Sequence, residues 1–313
     1  MLYDVIRPCP DRSVFFGYGP VFLDFRNFLR YIGKVKPECC SGGQNMEYRL
    51  LALDMDGTLL NSYGKITEEN VDALLRAREK GVIYAVNSGR YAENALIVVR
   101  ESGLNCPVIG TNGAKIIDEN GKCIYLDPFK PDTVKRICDY LDRKDCLYYL
   151  YGTDFLLTNQ EGRRHHSEIQ YGETLIREFG FRYMNGRKSF PLIAGEPILK
   201  MYICEYPDLP GMREELKQFD GIIITSSSER NIEVSPEGVD KATGLKKLAD
   251  LYGITMEDTA AFGDQENDLP AIQAAGWGFA MSNADFAVKQ KAGYLTLSND
   301  QSGIAWALER YVK

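Results

Sequence analysis

The sequence predicts an α/β protein: a doubly wound parallel sheet with a smaller α+β domain inserted in it. Three observations support this. Short apolar runs alternate with helix-like segments from Met46 to about residue 127, the β-α-β pattern of a parallel sheet. The alternation returns after Pro236. Between the two stretches, residues 128–234 change character, with aromatic strand-like runs broken by Gly-Thr-Asp.

Residues 1–45 read unlike the rest. They are aromatic-rich ("SVFFGYGPVFLDFRNFL") without a period of 2 or 3.6, and they end in the turn-rich "ECCSGGQN". One expectation is that Met46 is the natural start; the other is a genuine extension. The N-terminal mass of the protein expressed from its own gene separates them. Tyr48–Leu53 reads as a strand buried on both faces, because it is apolar without alternation. Thr67 is placed to cap a helix whose first turn holds Glu68 and Glu69, with Val71, Leu74 and Leu75 as its apolar face and Gly81 at C′. "VIYAV" (82–86) is a second strand running into "NSGR", and a helix follows from Ala92 to Glu101. "CPVIGTNGAKIID" reads as strand and turn, with "GKCIYLD" as its hairpin partner.

In the inserted domain, "KPDTVKRICDYLDRK" is helical, and "LYYLYG", "PILKMYICEY", "GIIIT" and "NIEVSP" are strands. Beyond it, "DKATGLKKLADLYGI" is a helix with Leu245, Leu248, Ala249 and Tyr252 on one face. "TAAFG" (259–263) is a strand. The next helix carries Pro270 in its first turn, where a missing N–H costs nothing. "WGFAM" and "YLTLS" are late strands, and "GIAWALERYV" closes the chain.

Composition excludes several classes. A net charge of −7 argues against nucleic-acid or anionic-membrane partners. No apolar run reaches the ~20 residues of a membrane helix, and no signal peptide is evident. Eight scattered cysteines without C-x-x-C, and only the adjacent His165 and His166, argue against a thiolate zinc site. Free thiols in a reducing cytoplasm are the expectation. A monomer or homodimer is expected, taking a small anionic ligand that needs local positive charge.

Ligands of an open parallel sheet sit at the carboxyl ends of its strands. Four such ends carry polar residues here: Asp54 and Asp56; Ser88, Gly89 and Arg90; Thr111 and Asn112; Asp264, Asn267 and Asp268. Carboxylates clustered without histidine or cysteine suit a hard cation such as Mg²⁺, which takes about six oxygens and keeps several waters. Strand alternation lets Asp54 and Asp56 face one pocket. One carboxylate can then attack phosphorus while the other gives and takes the leaving-group proton. Gly57 permits a tight turn at this point. Lys241, at a helix start, supplies a point charge; Ser88, the N–H of Gly89 and Asn267 supply neutral donors.

The series "DMDGTLL", Ser88 in "VNSGR", Lys241 in "SPEGVDKATGL" and "GDQEND" resembles the four motifs of the haloacid dehalogenase-like superfamily. The large insertion between the second and third motifs is similar to that of its Cof-type hydrolases. The resemblance covers Met46 to Lys313. It implies a Rossmann-like core (46–127 and 235–313) under an α/β cap (128–234) and a Mg²⁺-dependent phosphatase of small phosphorylated metabolites, in the class of sugar phosphates, flavin mononucleotide or pyridoxal phosphate. By the same resemblance, Asp54 is the nucleophile that forms an aspartyl-phosphate. Asp56 is the general acid/base and a metal ligand through its carbonyl. Asp264 is the further metal carboxylate, and Asp268 supports the metal shell through water or a hydrogen bond. Ser88 and Gly89 bind the phosphoryl group, Lys241 neutralises charge, and Asn267 orients phosphate or Asp264. The same chemistry could transfer the phosphoryl group to a second hydroxyl, as a mutase does. A non-catalytic phospho-ligand sensor is a reading of another class, and the intact acid/base pair argues against it. Three features stand outside these motifs. "GRRHHSE" (162–168) is tempting as a substrate-binding patch in the cap but is read as a solvated loop; Arg90 is a plausible substrate contact but is read as a structural or surface residue; and Tyr148, Tyr149 and Tyr151 are read as cap core rather than a ligand platform.

Overall fold

A computed structural model describes residues 48–311. The reading of residues 1–45 falls outside them. Fourteen strands are present among the described residues: β1 (Leu50–Leu53), β2 (Ile83–Asn87), β3 (Val108–Gly110), β4 (Lys115–Ile117), β5 (Cys123–Leu126), β6 (Tyr148–Gly152), β7 (Phe155–Thr158), β8 (Arg182–Asn185), β9 (Ile198–Cys204), β10 (Ile222–Thr225), β11 (Asn231–Pro236), β12 (Thr259–Gly263), β13 (Trp277–Ala280) and β14 (Tyr294–Leu295). Nine α-helices accompany them: α1 (Glu68–Glu79), α2 (Ala92–Glu101), α3 (Pro131–Arg143), α4 (His166–Phe179), α5 (Leu209–Leu216), α6 (Lys241–Leu251), α7 (Leu269–Ala274), α8 (Phe286–Lys291) and α9 (Gly303–Tyr311).

Two sheets organise the molecule. The larger has the order β14-β13-β12-β1-β2-β3-β4-β5. It is parallel from β14 to β3, and the β4–β5 hairpin extends it antiparallel. All four residues of β1 are buried, as expected for a central strand covered on both faces. The smaller sheet runs β10-β11-β9-β6-β7-β8 and is antiparallel except for β7–β8. Its core gathers Tyr148, Leu150, Phe155, Met201, Ile203 and Val234 with α3 residues Ile137 and Leu141. The fold class read from the sequence is the one observed.

Some local expectations need correction. Thr67 caps α1 by accepting from the Asn70 N–H. The buried face of α1, however, is Asn70, Ala73, Leu74 and Ala77, and Leu75 is exposed. Asn70 turns inward because its side-chain oxygen accepts from the Ala305 N–H of α9, a partner that apolar periodicity does not reveal. Tyr252 lies past the end of α6 and is exposed, whereas Leu245, Leu248 and Ala249 are buried as expected. "YLTLS" contributes only the two residues of β14. "GRRHHSE" is not wholly a solvated loop: His165 is buried and caps α4, accepting from the Ser167 N–H.

Candidate active site

The carboxyl ends of β1, β2 and β12, which are neighbours in the larger sheet, converge on one pocket. Asp54 follows β1 directly and is buried. Its backbone N–H donates to the Phe262 carbonyl of β12. Asp56 reaches the same pocket, yet not by strand alternation, because β1 ends at Leu53. The chain turns at Gly57, whose φ of +79° suits glycine. A Cβ at Gly57 would lie 2.3 Å from Asp264 Oδ2. The glycine therefore lets the first loop approach the fourth, and the Asn283 amide donates to its carbonyl at 2.7 Å.

Asp264 follows β12 and accepts from Thr58 Oγ1 at 2.7 Å. Asp268 lies one turn on and accepts from the backbone N–H groups of Asp264 (2.8 Å) and Gln265 (2.9 Å), which hold its carboxylate inward. Asp54, Asp264 and Asp268 each offer an oxygen within 4.8 Å of the others. Lys241 is the first residue of α6. The Asp240–Thr243 capping box fixes that helix start. Only 1% exposed, Lys241 donates from Nζ to Asp54 Oδ1 and to Asp268 Oδ1, both at 2.5 Å.

One ammonium among three buried carboxylates leaves an excess of negative charge. Burial raises the Asp54 pKa well above the usual carboxylate range; the charge of Asp268 adds to this, and Lys241 opposes it. Burial, with Asp268 again second, lifts Asp264 to about 7, while the Thr58 hydroxyl works against the rise. Burial also acts against the charge of Lys241, but Asp268 and Asp54 outweigh it and hold the ammonium above the ordinary lysine range. Such a cluster is built to receive further positive charge, and an all-oxygen donor set suits Mg²⁺.

The remaining expected residues also lie here. Ser88 and Gly89 follow β2 and line the pocket, as does Asn267. Asp56 is held differently from Asp54. Its side chain is 62% exposed and paired with Arg90, whose Nε donates to Oδ2 at 2.8 Å and Nη2 to Oδ1 at 2.6 Å. Arg90 thus belongs to the pocket wall, where the sequence reading favours a structural or surface residue over a substrate contact. Tyr151, read as cap core, packs in the cap but also lines the pocket.

The reading from sequence missed the pair Lys200 and Glu233, which are 2% and 3% exposed at their side chains with Nζ and Oε1 3.0 Å apart. They sit on the adjacent strands β9 and β11 and line the pocket from above. A signal was available for the lysine, since "ILKMYIC" interrupts an apolar run with a single charge; Glu233 gave none, because in "NIEVSP" it alternates with Asn231 and Ser235 about Ile232 and Val234, as on any half-buried strand. The sequence reading set aside the 162–168 segment as a loop, yet His165 Nε2 lies 3.0 Å from Tyr151 Oη in the pocket wall, and it missed Tyr91, which stacks on Tyr151 at 4.5 Å.

Comparison with known proteins identifies the family. The sequence model of the haloacid dehalogenase-like hydrolases matches residues 51–308. The chain is 31% identical to the 5-amino-6-(5-phospho-D-ribitylamino)uracil phosphatase YwtE of Bacillus subtilis (strain 168), over 84% of this chain and 97% of the relative. It is 26% identical to the pyridoxal phosphate phosphatase YbhA of Escherichia coli (strain K12), over 83% and 97%. Among solved structures, a haloacid dehalogenase-like hydrolase from B. subtilis superposes with a TM-score of 0.74 at 28% identity, covering 84% of this chain and all of that one. One from Bacteroides thetaiotaomicron gives 0.69 at 28% identity, over 84% and 99%. The match across nearly the whole described chain, together with the converging strand-end carboxylates, shows that this chain belongs to the haloacid dehalogenase-like hydrolases and is a phosphatase of that superfamily.

Proposed function

We propose that the protein is a Mg²⁺-dependent phosphatase of small phosphorylated metabolites that works through an aspartyl-phosphate on Asp54. The observation that carries this reading is the buried cluster in which Asp54 and Asp268 share the Lys241 ammonium at 2.5 Å with Asp264 alongside. The side chains of Asp54, Asp264 and Asp268, with the Asp56 carbonyl, would hold Mg²⁺. The ion would offset charge on the phosphoryl oxygens.

The chain's own residues do the rest. Ser88, Gly89 and Asn267 present donors to the phosphoryl group, and Lys241 adds charge. An Asp54 oxygen attacks phosphorus, the P–O ester bond breaks, and Asp56 gives its proton to the departing alkoxide. Water then attacks the phosphorus of the aspartyl-phosphate and passes a proton to Asp56, releasing phosphate and restoring the Asp54 carboxylate. Asp56 can take part only once it leaves Arg90. Arg90 lines the same pocket, where it also donates to Asn94 Oδ1 at 3.3 Å, and an incoming anion would draw it from Asp56.

Two relatives are named for phosphates of heteroaromatic metabolites. The aromatic wall of Tyr91, Tyr151, His165 and Tyr202 supports a ring-bearing leaving group of that kind, flavin mononucleotide and pyridoxal phosphate among them, with sugar phosphates as the other class to test. Residues 128–234 would serve as the cap over a core of 46–127 and 235–313; the separate six-stranded sheet supports this. A cytoplasmic setting is supported by five free cysteines among the described residues, and no described helix is long and apolar enough to cross a membrane.

The test is phosphate release from a panel of these phosphates, with Mg²⁺ and with excess chelator, for wild type and Asp54→Asn. Turnover that needs Mg²⁺ and disappears in the variant supports the mechanism. Equal turnover in chelator, or in Asp54→Asn, overturns it.

A further inference from the structure

The buried Lys200–Glu233 pair belongs to the smaller sheet, but most of its remaining hydrogen bonds reach loops that follow strands of the larger one. Lys200 Nζ donates to the Gly89 carbonyl at 2.5 Å. Glu233 Oε2 accepts from the Asn112 amide at 2.7 Å, and Ser227 is its one further partner within the cap, at 3.3 Å. Asn112 in turn presents its Oδ1 to the Asn267 amide, at the long distance of 3.4 Å. A continuous buried chain thus runs from two cap strands to three core loops: the one after β2, the turn after β3, and the one after β12.

The local backbone favours this arrangement. Thr111 and Asn112 both adopt positive φ (48° and 56°), which turns the Asn112 side chain back into the protein. Gly89 is closely approached: a Cβ there would lie 3.0 Å from Asn112 Oδ1 and 3.2 Å from Glu233 Oε1. Burial opposes the charge of Glu233, but Lys200 and the Asn112 amide outweigh it and keep the carboxylate ionised. A charge buried this deeply must keep its partners, so the link has one low-energy arrangement.

We propose that Glu233 is a positioning residue of the phosphoryl site. Through Asn112 it orients Asn267, and through Lys200 it sets the Ser88–Gly89 loop, so that the donors take their working geometry only when strands β9 and β11 are seated. The inference rests on the proposed phosphoryl-binding role of Ser88, Gly89 and Asn267. Glu233 itself carries no proton in the reaction and does not need to touch the leaving group.

Two measurements test this. In the first, hydrogen exchange of wild type, Glu233→Gln and Asn112→Gly is compared without substrate. Glycine suits the backbone at 112, so that variant cuts the link without straining the turn. Positioning predicts faster exchange over residues 86–92 and 109–114 in both variants, with β12 unchanged. In the second, kcat/KM is measured on acetyl phosphate, whose leaving group is a bare acetate without a ring, and on the best substrate of the panel. Positioning predicts the same loss, about tenfold or more, on both compounds, and a double variant no worse than the poorer single. Unchanged exchange, or a loss confined to the larger substrate, would show that Glu233 reads the leaving group or only holds the cap together, and would overturn the proposal. Because the exchange experiment needs no turnover, a protein that hydrolyses nothing would refute the proposed activity while the link is still judged on its own.

Discussion

Replacing Asp264 with asparagine should make the metal-free protein more stable at alkaline pH while removing its response to Mg²⁺. In the native protein Asp264 is raised to about 7, by burial first and by the Asp268 charge second, from an ordinary 3.8. The sign follows from proton linkage. A raised native pKa means that the folded state holds the proton more tightly than the unfolded chain does. This contribution therefore favours folding below about pH 4, is lost as pH rises from about 4 to 7, and is gone above 7. At 1.36 kcal/mol per pH unit the loss comes to about 4 kcal/mol at pH 8. Asparagine has nothing to ionise, and its amide oxygen can still accept from Thr58. In chelator at pH 8, Asp264→Asn should exceed wild type by up to about 4 kcal/mol, and at pH 4 the two should agree closely. Adding Mg²⁺ should stabilise wild type at pH 8, less so at pH 5, and the variant little at either. Urea unfolding at these pH values, with and without metal, measures every arm. A variant less stable than wild type at pH 8 in chelator would refute the argument that the cluster carries uncompensated charge.

Other substitutions test neighbouring parts of the site. Lys241→Met removes the one ammonium between Asp54 and Asp268; it should cost about 3–5 kcal/mol in urea unfolding at pH 8 in chelator, and phosphate release should fall with it. Gly57→Ala places a methyl 2.3 Å from Asp264 Oδ2 in a left-handed turn; backbone strain alone is about 1–2 kcal/mol, and apparent Mg²⁺ affinity, read by titrating activity, should weaken. The Arg213–Glu266 pair joins α5 to the loop between Asp264 and Asp268 at 2.6 Å and is partly exposed; Glu266→Gln should cost no more than about 1 kcal/mol of stability in urea unfolding.

The polar ends of the core strands were legible in the sequence alone. Strands buried on both faces announce themselves as unbroken apolar runs, and the polar residues that end them at 54, 88 and 264 follow covalently. Gly57 and Lys241 could be placed the same way, since a turn and a helix start are local events. What periodicity could not decide is which charges meet. Lys241 bridges two carboxylates 187 and 27 residues away, Glu233 reaches Asn112 across 121 residues, and Arg90 takes Asp56 across 34. The same limit misplaced Leu75, because the face a helix buries depends on the neighbour that covers it. It also misjudged His165, the N-cap of α4, which packs against tyrosines of β6 and β9. Hydrophobic pattern reports whether a position tends to be covered. The partner of a buried charge is chosen by desolvation, which penalises every arrangement in which that charge stays alone, and only the folded chain brings the competing partners within reach.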